Sequence, residues 1–331
     1  MEVVFNHGVY LPELDLWLDS RRRRDLGLIS HAHADHTARH HRAVLTPATR
    51  LLLTDYLHDR SGHVTLEYHE PLETDRYTLT LYPAGHCLGS AQALVESKAT
   101  GERVLYTGDF KTRPSPINEP LEPVPCDTLV MEATYGRPEY TFPAEEQVLD
   151  TAFRTLERWL AKGERPVVLG WRLGKSQELL HHLLAQGFEV VVEESAHRIA
   201  QRYQQAGVSF PGAFLPFDGQ WREGQVLIAP PGAKTTHMLG KGKGLRFMEL
   251  TGWAVNGRRP WGRRGDADLP YSDHADFNEL VEYVGRVNPQ QVYTVNGFPE
   301  LAAHLRSLGY PAVHLDAKGK PDAVGMQMRM M

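Results

Sequence analysis

Residues 29–41 read ISHAHADHTARHH, five histidines and one aspartate within thirteen residues. They follow Leu26-Gly27-Leu28, an apolar run that reads as a buried strand. In an extended segment alternate side chains point the same way, so His31 and His33 can address one point together. Asp35 and His36 come as the chain turns and can face a neighbouring point. Imidazoles and carboxylates gathered without thiolate suit zinc, manganese or iron in a hydrolytic role. A solvated histidine loop is the plain alternative, and His40 and His41 read as surface residues.

One cluster does not complete a metal site, and three later stretches offer the rest. YPAGHCLGSAQ (82–92) sets His86 in a glycine-flanked loop after a strand, where backbone can approach a cation closely. VLYTGDF (104–110) ends an apolar strand at Asp109, a position for a carboxylate bridging two ions. PYSDHADF (270–277) places His274 just before a helix. Singly each is weak; together they supply enough donors for two metals. Cys87, beside His86, reads as a small packing residue.

The rest of the chain sets the frame. At 331 residues and 41% hydrophobic content it can bury one large core or two. A net charge of −5 excludes a surface coated in basic residues but not a local basic track. Two cysteines, Cys87 and Cys126, leave no disulfide framework and no thiolate zinc site. The first residues carry no basic leader before an apolar core, and no run approaches a membrane span, so a soluble cytoplasmic protein is expected. About 135 residues read mostly as short strands. From Pro143 the texture becomes an alternation of helices and strands, the pattern of a layered parallel sheet. Residues 232–268, rich in Gly, Lys and Arg, read as loop around LRFMELTGW. The end returns to strand and helix, and the tail GMQMRMM reads as frayed.

HxHxDH, a Gly-His loop, a strand ending in Gly-Asp and a late histidine resemble the metallo-β-lactamase fold. ISHAHADH, PAGHCLGSA, YTGDF, MEATYG (131–136) and SDHADF resemble its β-CASP nuclease branch. The resemblance implies an α/β fold: an αββα sandwich over 1–142 and 269–331 with a smaller α/β domain inserted at 143–268. VVLGWRLGKSQELL (167–180) is similar to that insert's first strand and helix, and ELTGW (249–253) to one of its later strands. Nucleic acid is then expected in the cleft between the two domains. The ligands carried over are His31, His33 and His86 for one metal, Asp35, His36 and His274 for the other, and Asp109 bridging. Glu132 is expected to hydrogen-bond ligand histidines, and Asp35 to orient the attacking hydroxide. The implied cofactors are two divalent ions, zinc first, with manganese or magnesium as options at the second site.

EATYGRPEYTFPAEEQV (132–148) and the text from Leu269 to Gly297 are similar to the Artemis-like DNA cross-link-repair nucleases, and the layout to bacterial exonucleases associated with DNA ligases. RNA-cleaving members carry Val-His-Gly where this chain has Val295-Asn296-Gly297. The expected function is a 5′-to-3′ DNA exonuclease of DNA repair, with ligase or helicase as protein partners. An RNA-processing enzyme is second, and a small-molecule metallo-hydrolase third. Ser272 matches a serine that seats a terminal 5′-phosphate, while Asp276 stands where these relatives place a second serine. Lys234, Lys241, Lys243 and Arg246, and Arg258, Arg259, Arg263 and Arg264 around Trp261, suit a phosphate track. Arg21–Arg24 read as a solvated turn.

Overall fold

The computed structural model describes residues 1–57, 62–232, 239, 244–256 and 265–316. The chain divides into two compact units: unit 1 comprises 1–138 and 274–331, and unit 2 comprises 139–273. Lys234, Lys241, Lys243, Arg258, Arg259, Trp261, Arg263, Arg264 and the tail GMQMRMM lie outside the described residues.

Unit 1 is built on two sheets. The first runs β1 (Val4–Phe5), β2 (Val9–Leu11), β3 (Leu16–Leu18), β4 (Leu26–Leu28), β5 (Arg42–Leu45) and β6 (Val64–Thr65), in that order. β1 to β3 form an antiparallel meander, and β3 to β6 are parallel. The second sheet contains β7 (Pro71–Glu73), β8 (Tyr77–Pro83), β9 (Ala91–Ser97), β10 (Arg103–Tyr106), β11 (Thr128–Ala133), β18 (Gln291–Gly297) and β19 (Ala312–His314). Its order is β19-β18-β11-β10-β9-β8-β7, with β10, β11, β18 and β19 parallel.

The two-residue period of a strand divides its side chains between two cores. Val104, Tyr106 and Val130 join Leu16, Leu18, Leu28 and Val44 between the sheets. Leu105, Leu129 and Met131 face the other way, onto the helices Phe277–Val287 and Glu300–Ser307. β11 is therefore buried at every position, and its Leu129-Val130-Met131 is a continuous apolar run rather than an alternation. Each such Leu or Val contributes about 1.5–3 kcal/mol by its burial. One departure from the strand-rich reading lies at TPATRLL, where Pro47–Leu52 is a helix. The Thr46 hydroxyl caps it by accepting the Thr49 N–H at 3.1 Å, and Pro47 opens its first turn.

Unit 2 is a parallel sheet with helical crossovers. The helix Glu145–Leu160 leads to β12 (Arg165–Leu169), the helix Lys175–Ala185, β13 (Glu189–Val192) and the helix Glu194–Gln205. β14 (Leu215–Pro216), β15 (Gln225–Ala229), β16 (Leu245–Leu250) and β17 (Ala267–Leu269) complete the order β14-β13-β15-β12-β16-β17. Leu156 and Trp159 of the first helix pack with Val168, Leu180, Val226 and Met248. LRFMEL is β16, paired with β12 on one side and β17 on the other, and its last two residues open ELTGW, the stretch similar to a later strand of the insert.

Candidate metal centre

Strands of unit 1 deliver the chemistry at their C-terminal ends. β3 runs into Asp19, β4 into Ser30 and His31, β8 into His86, and β10 into Asp109. Two glycines make the convergence sterically possible. Gly85 has φ +77°, and a Cβ there would stand 2.3 Å from the Lys111 carbonyl. Gly108 has φ +57°, and a Cβ there would stand 2.6 Å from the Ser30 hydroxyl. The Ser90 hydroxyl accepts from the amides of His86 and Cys87 at 3.1 and 3.2 Å and fixes the loop. Cys87 is buried, packed beside the site.

Among the described residues, His31, His33, His86 and Asp109 bring one ligand atom each to within 4.8 Å of one another. His33 Nδ1 lies 3.1 Å from His31 Nε2 and 3.0 Å from His86 Nε2. Facing imidazole nitrogens repel unless a proton or a cation lies between them. One proton satisfies one such pair, whereas one cation satisfies all three rings. Asp109, Glu132 and His274 form a second group, which shares Asp109 with the first, and Asp19, His31 and His36 form a third, which shares His31 with it. His36 Nε2 is 3.2 Å from Asp109 Oδ2. This donor set, imidazole and carboxylate oxygen without sulfur, fits divalent metal, zinc foremost.

Asp35 stands apart from these groups. Its carboxylate is 63% exposed, with Oδ2 3.8 Å from His36 Nε2, and its carbonyl accepts from Arg21 Nε at 2.8 Å. Glu132 accepts from His274 Nδ1 at 3.0 Å and from the Phe110 amide at 2.8 Å, which fixes the ring's proton on Nδ1 and makes Nε2 the ligating nitrogen. Arg113 donates to the His274 carbonyl at 3.0 Å and pairs with Glu279 at 3.2 Å. The Ala275 amide donates to the Phe110 carbonyl at 2.9 Å, tying the late histidine's segment to the one bearing Asp109.

The residue not expected from sequence is Asp19. It is buried and accepts from the Ser30 amide at 2.7 Å, the Ser30 hydroxyl at 2.5 Å, His36 Nδ1 at 2.8 Å and the Tyr106 hydroxyl at 2.9 Å. A carboxylate only accepts, so His36 carries its proton on Nδ1 and Ser30 spends its own on Asp19. The Ser30 oxygen, 2.9 Å from His31 Nδ1, then accepts from that ring. One carboxylate thus turns the Nε2 lone pairs of two histidines toward the cluster. The sequence carries only a faint sign of it, a strand ending in Asp-Ser.

The electrostatics follow. Burial, with His36, His33 and His86 close by, keeps His31 well below the usual imidazole range, in its ligating form. Burial opposes a charge on His36 also, but Asp109 and Asp19 on either side overcome it and raise that ring well above the usual imidazole range. A bound cation would replace the proton this favours. Burial pushes Asp109 up, and the imidazoles of His36, His274 and His31 outweigh it, so its carboxyl ionises well below the ordinary range.

Other expected residues fall elsewhere. Ser272 is buried at the end of unit 2, two residues before His274. Arg246 is held by Glu164 at 2.6 Å and Asp266 at 3.0 Å within unit 2. Asp276 caps the helix Phe277–Val287, accepting the Glu279 amide at 2.9 Å in a reciprocal capping box. His41 is exposed, but His40 is not a surface residue: it is fully buried, and its Nδ1 accepts from the Arg24 amide at 3.1 Å. The chain turns back there to bring Arg42 beside Leu26, and His40 fills the space over Gly27.

Residues 267–317 match the family model described as the Zn-dependent metallo-hydrolase RNA specificity domain. The chain is 37% identical over 316 residues to a probable DNA ligase of Opitutus terrae, a match covering 94% of this chain and 31% of that protein. It is 29% identical over 313 residues to the 5′ exonuclease Apollo of Gallus gallus, covering 87% of this chain and 63% of the relative. It is 24% identical over 300 residues to the DNA cross-link repair 1A protein of Mus musculus, covering 81% and 28%. The chain thus spans less than two thirds of the length of each of these relatives. With two glycine-hinged loops and four strand ends delivering histidine and carboxylate to one point, and with these likenesses, the chain is a metallo-β-lactamase-fold protein of the β-CASP branch, of the Artemis/SNM1 type.

Proposed function

We propose that this protein is a metal-dependent phosphodiesterase acting on DNA, a 5′-to-3′ exonuclease of DNA repair in the cytoplasm. The observation that carries the reading is the pair of donor groups sharing Asp109. His31, His33 and His86 would hold one ion, and His36 and His274 the other, with Asp35 completing the second set. When bound, divalent ions at such a site lower the pKa of water and polarise phosphoryl oxygens. Asp19 and Glu132 accept from Nδ1 of His36 and His274 and so present Nε2 of each ring for ligation. Asp35, exposed beside His36, orients the attacking water and accepts its proton.

The names of Apollo, a 5′ exonuclease, and of the cross-link repair protein support a DNA substrate and 5′ polarity. The probable DNA ligase supports a ligase as the first protein partner to test. Unit 2 is then the inserted nucleic-acid-binding domain, with Ser272 contributing to the seat of a 5′-phosphate and the basic residues near 234–243 to a phosphate track. Among the described residues no helix is long and apolar enough to cross a membrane.

RNA is the second reading, favoured by the family model's own description. Asn296, where RNA-cleaving relatives present histidine, weighs against it. End-labelled DNA and RNA of matched sequence, with and without 5′-phosphate, assayed with zinc, manganese and magnesium, separate the two. DNA cut faster, from its 5′ end and faster when phosphorylated, is the expected result. Equal or faster cleavage of RNA promotes the second reading, and release of the 3′-terminal nucleotide first refutes the polarity.

A further inference from the structure

At the opposite end of the same strands, unit 1 holds a cavity of about 770 Å³ that the metal chemistry does not use. It opens where β3, β4, β5 and β8 begin, whereas His31, His86 and Asp19 lie where β3, β4 and β8 end. The six residues from Asp25 to His31 span roughly 20 Å if extended, at about 3.3 Å per residue, so the two places are well apart. Four arginines line the cavity: Arg23, Arg24, Arg42 and Arg76. Two belong to the run at 21–24, which is accordingly more than a solvated turn.

The chemistry of the lining selects the ligand. Trp17 is covered on one face by Tyr10, stacked at 4.3 Å, and on the other by the Arg24 guanidinium at 3.3 Å. Neither face is open to a nucleobase, so the ring serves as a platform for a guanidinium, which keeps its N–H edge for an anion. Arg24 feels the cost: burial and the nearby Arg22 both make its charge less favourable. Arg23 donates to His41 Nδ1 at 3.1 Å. Arg42 and Arg76 are exposed, no described acidic group pairs with either, and both act on Tyr77 at the cavity wall.

Three aspartates also line the space and limit the net charge. Asp15 is occupied in accepting the Tyr10 hydroxyl at 3.0 Å, and the Asp25 side chain is 96% exposed. Asp75 stands beside Arg76 and is exposed. The guanidiniums outnumber these carboxylates by one, and their planar forks match phosphate oxygens in pairs. We propose that this cleft binds the phosphate backbone of a nucleic-acid strand, without reading its bases, at a point remote from the metal centre. The identity of the occupant rests on the nuclease reading above; the anion chemistry does not.

The test compares wild type with Arg42→Gln/Arg76→Gln and with Arg76→Glu, both changes at exposed side chains. Binding of a fluorescent 20-nucleotide DNA and of a 4-nucleotide DNA, too short to reach from the metal centre to the cleft, is followed by anisotropy across a salt series, and binding of tripolyphosphate by calorimetry. Turnover of a small chromogenic phosphodiester and the melting temperature are measured on the same preparations. The double variant is expected to bind the 20-mer about tenfold more weakly, with a log–log salt slope shallower by about 1.4, since each contact to a single strand is worth about 0.7. The 4-mer, the small diester and the melting temperature should not change. An unaltered 20-mer slope in both variants overturns the proposal. So does loss of tripolyphosphate binding with 20-mer binding intact, which assigns the cleft to a free phosphate compound. Absence of small-diester turnover in wild type instead refutes the nuclease reading and leaves the anion measurement standing.

Discussion

Asp19→Asn separates the role of a hydrogen-bonding carboxylate from that of the ligands it aims. The substitution keeps size and shape but turns one acceptor oxygen into an NH₂ donor. In the protein Oδ1 accepts from the Ser30 amide, and Oδ2 from the Ser30 hydroxyl, His36 Nδ1 and Tyr106. With the new NH₂ at the first place, two N–H groups face each other. At the second place it meets His36 Nδ1, and that ring must move its proton to Nε2, the nitrogen 3.2 Å from Asp109. Either arrangement loses a charged hydrogen bond worth about 1.5–3 kcal/mol. Metal affinity should fall 10–100-fold, about 1.4–2.7 kcal/mol, the usual cost of losing a partner that orients a ligating histidine. The assay is chelator competition followed by metal analysis of the protein, with circular dichroism as the check on folding. A folded Asp19→Asn protein with wild-type affinity for every bound ion would refute the argument that Asp19 sets the tautomers.

Asp109→Ala should lower the content of both ions, since two of the donor groups share Asp109; elemental analysis showing loss of one ion alone removes the bridge. Asp35→Ala should leave stability within about 0.5 kcal/mol, as for most exposed positions, while hydrolysis is abolished; near-normal turnover takes Asp35 out of the reaction. Burial lowers the His40 imidazole to about 4, so between pH 6.5 and 4 the unfolded chain binds a proton that the folded chain does not. That part of the stability is complete above pH 6.5 and is lost as pH falls toward 4. His40→Asn should therefore flatten the acid limb of a denaturant-derived stability curve, and an unchanged slope excludes His40 as its source.

How much of this could be read in the sequence differs from residue to residue, for physical reasons. His31, His33 and His36 announce themselves because local chain geometry, two-residue alternation and then a turn, decides where they point. Asp109 and His86 were legible because glycine marks the places where strands end in tight loops. The longer elements of unit 2 followed from helical and strand periodicity, β16 from the likeness of ELTGW to a later strand, and the short β14 and β17 escaped because two or three residues carry no period. His40 was misread because its burial depends on β4 and β5 pairing side by side, a contact that local polarity does not encode.

Asp19 was invisible for the same kind of reason. An aspartate after a strand is ordinary until β3 aligns with β4, Leu18 opposite Leu28, and sets it beside Ser30. The arginine cleft likewise gathers residues from 14 to 77 that share no motif. Sequence by itself determined the donor types, their local spacing and the family of the fold. Tertiary structure alone decided which nitrogen of each histidine faces the cluster and which buried carboxylate enforces it, because a tautomer is set by the partner across space and not by the neighbour along the chain.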